Sequence, residues 1–148
     1  METSNQPVKR VYALYHVGLK LLIKKGDEFL FLTDAAHKRL DLPGGRIDDV
    51  EHMTPLAKII AREISEELGA EIMYKLGKPV FQFRRHFENK DGHTFITVYE
   101  ADYLSGEIKL SADHSSHQWI HPKKADFKEE DFFHKEEHLA FKTYFHNG

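Results

Sequence analysis

Cysteine is absent from this chain, and with it go disulfides, thiolate metal sites and a cysteine nucleophile. Positive charge is not in excess either: 21 Lys and Arg stand against 24 Asp and Glu, a net charge of -3 with His neutral. Nothing in that balance announces nucleic acid as a partner. No apolar run approaches the ~18 residues of a membrane span, and the opening METSNQPVKR lacks the apolar stretch of a secretory signal. The expectation is a cytoplasmic protein with no membrane partner. Internal repeats, low-complexity tracts and a dividing linker are also missing. The 11 His are scattered. His114, His117 and His121 invite a metal reading, but their spacing shows no sign of the convergence that zinc requires.

What remains is ordinary globular material. With 148 residues, 41% hydrophobic and 30% charged, the chain suits one domain over 1–148, loose over its polar residues 1–7. β-branched, aromatic and alternating apolar residues predict strands at 11–15, 17–23, 28–33, 40–42, 71–75, 80–87, 94–103 and 114–120. Lys25-Gly26-Asp27 predicts a hairpin turn; the Asn-Lys-Asp-Gly run at 89–92 and Ser105-Gly106 predict two more. Residues 34–39 and 46–53 read as loops. Thr54, as a hydroxyl N-cap, and Pro55, at the first helical position, open a helix over 55–68 that Gly69 closes. One helical turn is expected at 122–126. A final amphipathic helix is expected at 129–145, packing through Phe132, Phe133, Leu139, Ala140, Tyr144 and Phe145. Strands around a central helix, with a second helix at the end, make an α+β domain.

The stretch at 44–71, GGRIDDVEHMTPLAKIIAREISEELGAE, concentrates the chemistry. Two glycines permit backbone conformations closed to other residues and a close approach by a ligand. At ~100° per residue, Glu63, Glu66 and Glu67 project from one side of the helix. Leu56, Ala57, Ile60, Ala61, Ile64 and Leu68 occupy the neighbouring arc as the expected buried stripe. Like charges so close repel unless a cation sits among them or one takes up a proton. Oxygen ligands completed by substrate phosphates suit Mg²⁺, with Mn²⁺ as the alternative, better than zinc. The competing account is a solvated acidic face; the glycine turn and Arg62 weigh against it.

These residues resemble the signature of the Nudix hydrolases, G-x5-E-x7-R-E-U-x-E-E-x-G-U, where U is a bulky aliphatic residue. Gly45, five residues and Glu51 match its first part, and Arg62-Glu63-Ile64-Ser65-Glu66-Glu67-Leu68-Gly69 match its second. Ten residues separate Glu51 from Arg62 where the pattern has seven, and Ala70 is small where it prefers a bulkier side chain. Either the loop is longer by three residues within His52-Met53-Thr54, or an ungapped alignment puts Asp48 and Thr54 at the Gly and Glu positions. The longer loop gives the flanking residues sensible structural roles. The likeness spans roughly 17–126.

The resemblance implies an α/β/α sandwich with a central mixed β-sheet, in a single domain. It implies hydrolysis of a pyrophosphate bond in a nucleoside diphosphate linked to another moiety. Candidate substrates are nucleoside triphosphates, NDP-sugars, ADP-ribose and dinucleoside polyphosphates. Glu63, Glu66 and Glu67, with the Gly44 carbonyl, would hold Mg²⁺, and one of the three carboxylates would help deprotonate the attacking water. Gly45, Glu51 and Arg62 would be structural, with Arg62 pairing Glu51 to hold the loop on the helix. Family members often add an acidic residue near the Trp-bearing strand; Asp113 and Glu100 are the candidates here. Arg46, beside the glycines, is expected on phosphate. Of Arg84 and Arg85, adjacent on a strand, at most one faces the site, and Arg84 is the substrate-binding candidate. Many relatives are dimers, so a homodimer is among the expectations. The alternative function is a non-catalytic module of this fold that senses a nucleotide, against which the three intact carboxylates argue. An isopentenyl diphosphate isomerase would need the missing cysteine.

Overall fold

Alternation along the first long strand sets the architecture. In the computed structural model, which describes residues 7–86 and 92–147, β1 (Tyr15–Lys25) sends Leu19, Leu21 and Ile23 to one face and Leu22 to the other. The tight turn at Gly26 and Asp27 leads into β2 (Glu28–Asp34), with Lys25 opposite Glu28. Gly26 takes φ 62°, the positive value that a two-residue hairpin needs at its first position. There follow β3 (Leu40–Asp41), β4 (Gly44–Arg46), the helix α1 (Leu56–Leu68), β5 (Met73–His86), β6 (His93–Ser105), β7 (His114–Ile120) and the helix α2 (Lys135–Asn147). Five strands lie in the order β3-β2-β1-β6-β5, with β4 against β1 and β7 against β2. The β1–β6 pairing is parallel and the others are antiparallel, so the sheet is mixed.

Each face buries one helix. Ile59, Ile60, Ile64 and Leu68 of α1 pack on Leu19, Leu21, Ile23, Leu30 and Leu32. Phe132 and Phe141 pack with Leu22, Phe31, Phe83, Ile96 and Val98 on the opposite face. Helix, mixed sheet and helix make the expected α/β/α sandwich.

Several boundaries differ from expectation. Residues 11–14 form no strand: Val11, Tyr12 and Leu14 are 93%, 81% and 87% exposed, and among the described residues no strand pairs with them. The strands expected at 71–75 and 80–87 are one continuous β5, whose register shifts around Pro79 because proline brings no N–H to the ladder. Phe87 and the turn at 89–91 lie outside the described residues. The expected loop at 46–53 instead contains the end of β4 and a 3₁₀ turn, Asp49–Glu51. Pro55, not Thr54, caps α1, and no side chain caps it; the Pro55 carbonyl accepts from the Lys58 and Ile59 N–H groups.

The α1 stripe is rolled relative to expectation. Ile59 is buried while Leu56, Ala57 and Ala61 are exposed, since burying isoleucine removes more apolar area from water than burying alanine. The final helix is also shorter. A 3₁₀ turn at Glu129–Asp131 ends in extended backbone at Phe132, which drops that ring into the core before α2 begins. Leu139 is 60% exposed, and Phe141, absent from the expected packing set, is 1% exposed and in ring contact with Phe31, Phe81, Phe83 and Phe132. Phe141→Ala should cost about 3–5 kcal/mol of stability. Chemical denaturation checks this, and a loss below about 1 kcal/mol would remove α2 from the core.

Candidate functional site

The site forms where β4 presses against the first sheet strand and α1 comes down on the two glycines. Gly44 has φ 134°, and a Cβ there would sit 2.7 Å from the Lys20 Cα, so only glycine allows this strand to close on β1. A Cβ on Gly45 would fall 2.5 Å from the Glu63 Cδ, so the second glycine makes room for a carboxylate. The Gly44 N–H donates to Glu67 Oε1 at 2.9 Å. Glu63 and Glu67 thus hang over the glycine strand. Burial pushes both carboxyls up, against the pull of Arg62 on Glu63 and of Lys20 and the Gly44 N–H on Glu67.

Arg62 organises the loop. Its Nε and Nη2 donate to the two oxygens of Glu51, each at 2.6 Å, and its Nη1 reaches Glu63 and Glu66 at 2.9 Å. Glu51 also accepts from the Asp48 N–H at 2.9 Å, which closes a capping box around the 3₁₀ turn. Arg62 first and then the Asp48 N–H hold the Glu51 carboxyl below its ordinary value. Glu66, 55% exposed at its side chain, faces Arg62 and solvent rather than the glycines. Among the described residues, no three His, Asp or Glu side chains stand in a closed metal-holding arrangement.

Beneath the glycine strand lies a buried charged cluster that the sequence reasoning missed. Asp41 Oδ1 accepts from Lys20 Nζ and Arg85 Nη2, each at 3.0 Å, and its Oδ2 meets His114 Nε2 at 3.1 Å. Arg85 also makes a two-pronged pair with Glu137 of α2, at 2.8 and 2.7 Å. All five residues are buried, Glu137 to 1% exposure. Burial alone would raise the Asp41 carboxyl; Lys20, Arg85 and His114 outweigh it and hold it well below the usual range. The available signal was a lysine inside the apolar run 17–23 and an aspartate between Leu40 and Leu42, charges where strand pattern asks for none.

Two cavities flank this cluster and share Asp34 and Asp41. One, of ≈ 360 Å³, is bordered by Glu67, Asp113 and His114. The other, of ≈ 290 Å³, is lined by Gly18, Lys20, Gly45, Arg46, Arg85 and Phe133 among others. Arg46 therefore stands at the rim beside the glycines, with His16 Nδ1 3.3 Å from its Nη1. Arg84 does not reach either cavity: strand alternation sends it outward into a two-pronged pair with Glu136, and Arg85 takes the inward position. Asp113 borders the same cavity as Glu67, whereas Glu100 lies apart, accepting from the Tyr144 hydroxyl. His117 and His121 do not join His114 at Asp41.

This glycine-and-carboxylate arrangement on a mixed sheet between two helices defines a class. The NUDIX domain family model matches residues 14–141, and the chain belongs to the Nudix family. Its members generally use divalent metal ions and act on small nucleotide derivatives. By that membership the chain is classed as an enzyme of the nucleotide pyrophosphohydrolase type. Among solved structures it is similar to a MutT protein from Methanosarcina mazei Go1, at 22% identity and TM-score 0.67, covering 93% of this chain and 95% of that one. It is similar to a NUDIX hydrolase from Nitrosomonas europaea, at 14% identity and TM-score 0.69, covering 93% of this chain and 73% of that one. A UDP-X diphosphatase is similar at 16% identity and TM-score 0.65, covering 94% of this chain and 67% of that one. A comparison with curated proteins finds no match.

Two predictions test the electrostatics. Asp41→Asn leaves Lys20 and Arg85 short of a buried counter-charge and should cost about 3–5 kcal/mol. Because the folded Asp41 value is depressed, its contribution is present above the ordinary carboxylate range and is lost as pH falls through the folded value. A wild-type-minus-mutant stability difference that shrinks only under acid confirms this. For Glu67 the sign reverses: a raised carboxyl destabilises the fold once it ionises. In chelator at neutral pH, Glu67→Gln should therefore melt a few degrees above wild type, with the gap closing as pH falls below the ordinary carboxylate range. A mutant that melts lower at neutral pH would contradict the assignment.

Proposed function

We propose that this chain hydrolyses a pyrophosphate bond in a nucleoside diphosphate linked to another moiety, with Mg²⁺ as the cofactor and Mn²⁺ as its substitute. The moiety is a phosphate, a sugar, ADP-ribose's ribose or a second nucleotide. The observation that carries the reading is the pair Glu63 and Glu67, two carboxyls raised by burial and pressed on a glycine strand at the edge of two cavities. Such a pair favours a cation over its own ionisation in isolation.

The donor set fits that cation: all of it is oxygen, and Glu63, Glu66, Glu67 and the Gly44 carbonyl would hold it. When bound it would offset phosphate charge and acidify a coordinated water. The chain's own residues supply the rest. Glu67 is oriented by the Gly44 N–H, and Arg62 steadies Glu63 and Glu66 from the loop side. Glu66 would leave Arg62 to join the set, and its exposure makes that swing cheap. Arg46 at the rim is the phosphate contact of this reading, and Arg85 replaces Arg84 as the substrate-side arginine. Glu63 or Glu66 would take the proton of the attacking water, with Asp113 the outside candidate on its cavity wall. A small nucleotide derivative is the partner, in a cytoplasmic setting.

The test is a Mg²⁺-dependent hydrolysis screen over nucleoside triphosphates, NDP-sugars, ADP-ribose and dinucleoside polyphosphates, with products identified by mass. Cleavage should require the metal, and Glu66→Gln and Glu67→Gln should each lower kcat by about 10²–10⁴-fold while remaining folded. Near-wild-type turnover in both variants would end the metal-site assignment. Saturable binding with no turnover of any substrate would make the chain a ligand sensor.

A further inference from the structure

We propose that the cavity between Gly18, Thr94, Ile96, Arg85 and Phe133 is a nucleobase pocket that selects bases presenting a ring carbonyl beside a ring N–H. Uracil, guanine and hypoxanthine carry that edge; cytosine and adenine carry an amino group in its place. The inference rests on the hydrolase reading and narrows its substrate class.

Size and walls come first. At ≈ 290 Å³ the cavity sits at the lower end of ligand pockets, about 300–1,000 Å³, and takes one ring system rather than a whole nucleotide. Its floor exists because residue 18 has no side chain: a Cβ there would meet Ile96 Cγ1 at 3.1 Å and Thr94 Cγ2 at 3.4 Å. Ile96 and Phe133 give it apolar walls. Arg85 packs against Phe133, with Cζ 4.1 Å from the ring centroid.

Two of the polar groups on those walls carry donors without a partner among the described residues, beside the carboxylates of Asp34 and Asp41. Arg85 spends Nε and Nη2 on Glu137 and Asp41, and its Nη1 has no partner among the described residues. The Thr94 hydroxyl has none either, although the residue is only 5% exposed. Neither atom is among the sealed, unpaired side-chain atoms, which among the described residues are Ser111 Oγ and His114 Nδ1; both are therefore open to solvent, and both residues line this cavity. Two buried donors on one wall, held in place by ion pairs and packing, ask for an acceptor.

Charge decides what kind of acceptor. Lys20 and Arg85 are matched by Asp41 and Glu137, so the floor offers directed N–H groups without an excess of positive charge. Glu63 and Glu67 add negative charge nearby. A phosphate deep in this cavity would meet carboxylates behind Lys20 and Arg85, and Arg46 at the rim, beside His16 rather than an acid, is left for phosphate; a neutral carbonyl oxygen on the wall meets the Arg85 and Thr94 donors. The complementary ring N–H has a place as well. Asp34, on the same lining, accepts from His37 through Oδ2, and its Oδ1 has no partner among the described residues.

Calorimetric titration with nucleoside monophosphates tests the pocket without relying on turnover, because these have no pyrophosphate bond. The pairs used are inosine against adenosine monophosphate, and uridine against cytidine monophosphate. The carbonyl-bearing member of at least one pair should bind about tenfold tighter or more. Thr94→Val, which keeps the shape and removes one donor, should narrow that ratio by about three- to tenfold. Gly18→Ala should weaken both members alike by filling the floor. Equal affinities, a preference for the amino bases, no binding of any of the four, or a ratio untouched by Thr94→Val would overturn the proposal. Base preference in binding with no pyrophosphate cleavage anywhere would leave the pocket standing and remove the hydrolase reading. Cleavage without base preference would do the reverse.

Discussion

One carboxylate holds this molecule's working end together. Asp41 takes Lys20 from β1, Arg85 from β5 and His114 from β7, so four strands, its own included, meet at a single buried acid. A buried charge pays heavily in lost hydration unless every lone pair is used. Here both oxygens are engaged, and even the Leu42 N–H turns in to the first of them at 2.8 Å. The same lysine also donates to the Leu42 carbonyl at 3.0 Å. That bond and the Leu21 N–H to Pro43 carbonyl bond fix the backbone on the way into Gly44. The position of the glycine strand, and hence of Glu63 and Glu67 above it, is set from below by this cluster.

The motif and the cluster illustrate what a sequence can and cannot disclose. Gly44, Gly45, Glu51, Arg62, Glu63, Glu66 and Glu67 lie within one strand–loop–helix unit; helical spacing puts the three glutamates on one side. The resemblance to the Nudix signature adds the glycines and the Arg62–Glu51 pair, and the structure forms that contact. Lys20, Asp41, Arg85, His114 and Glu137 come from five separate elements, and their convergence depends on strand order and register. Alternation predicts that at most one of Arg84 and Arg85 faces the site; the expectation took Arg84, and the sheet turns Arg85 inward instead. His114 was visible only as one of several histidines; its partner lay 73 positions away.

Helix and strand limits show the same division. The hairpin at Gly26 and the stop at Gly69 were legible because glycine conformation is a local property. The merging of two expected strands into β5 was not, because β6 supplies a continuous partner across Pro79 that tolerates the irregularity. Phe141 was overlooked for a related reason: which face of α2 is buried is decided by where Phe31 and Phe83 stand on the sheet. Hydrophobic identity was in the sequence, and orientation was in the fold.

The two kinds of charge arrangement also divide the labour of the site. On the α1 side, Glu63 and Glu67 are held with less compensation than they need, which leaves their carboxyls raised and the region short of a cation. On the α2 side, Lys20 and Arg85 are compensated in full by Asp41 and Glu137. Under the proposed function, a divalent ion and phosphates would complete the first region, with Arg46 at the rim. The second is a neutral, rigid wall whose value lies in the direction of its hydrogen bonds. The glycine strand meets both: Gly45 leaves room for the Glu63 carboxylate and lines the cavity that Lys20 and Arg85 share.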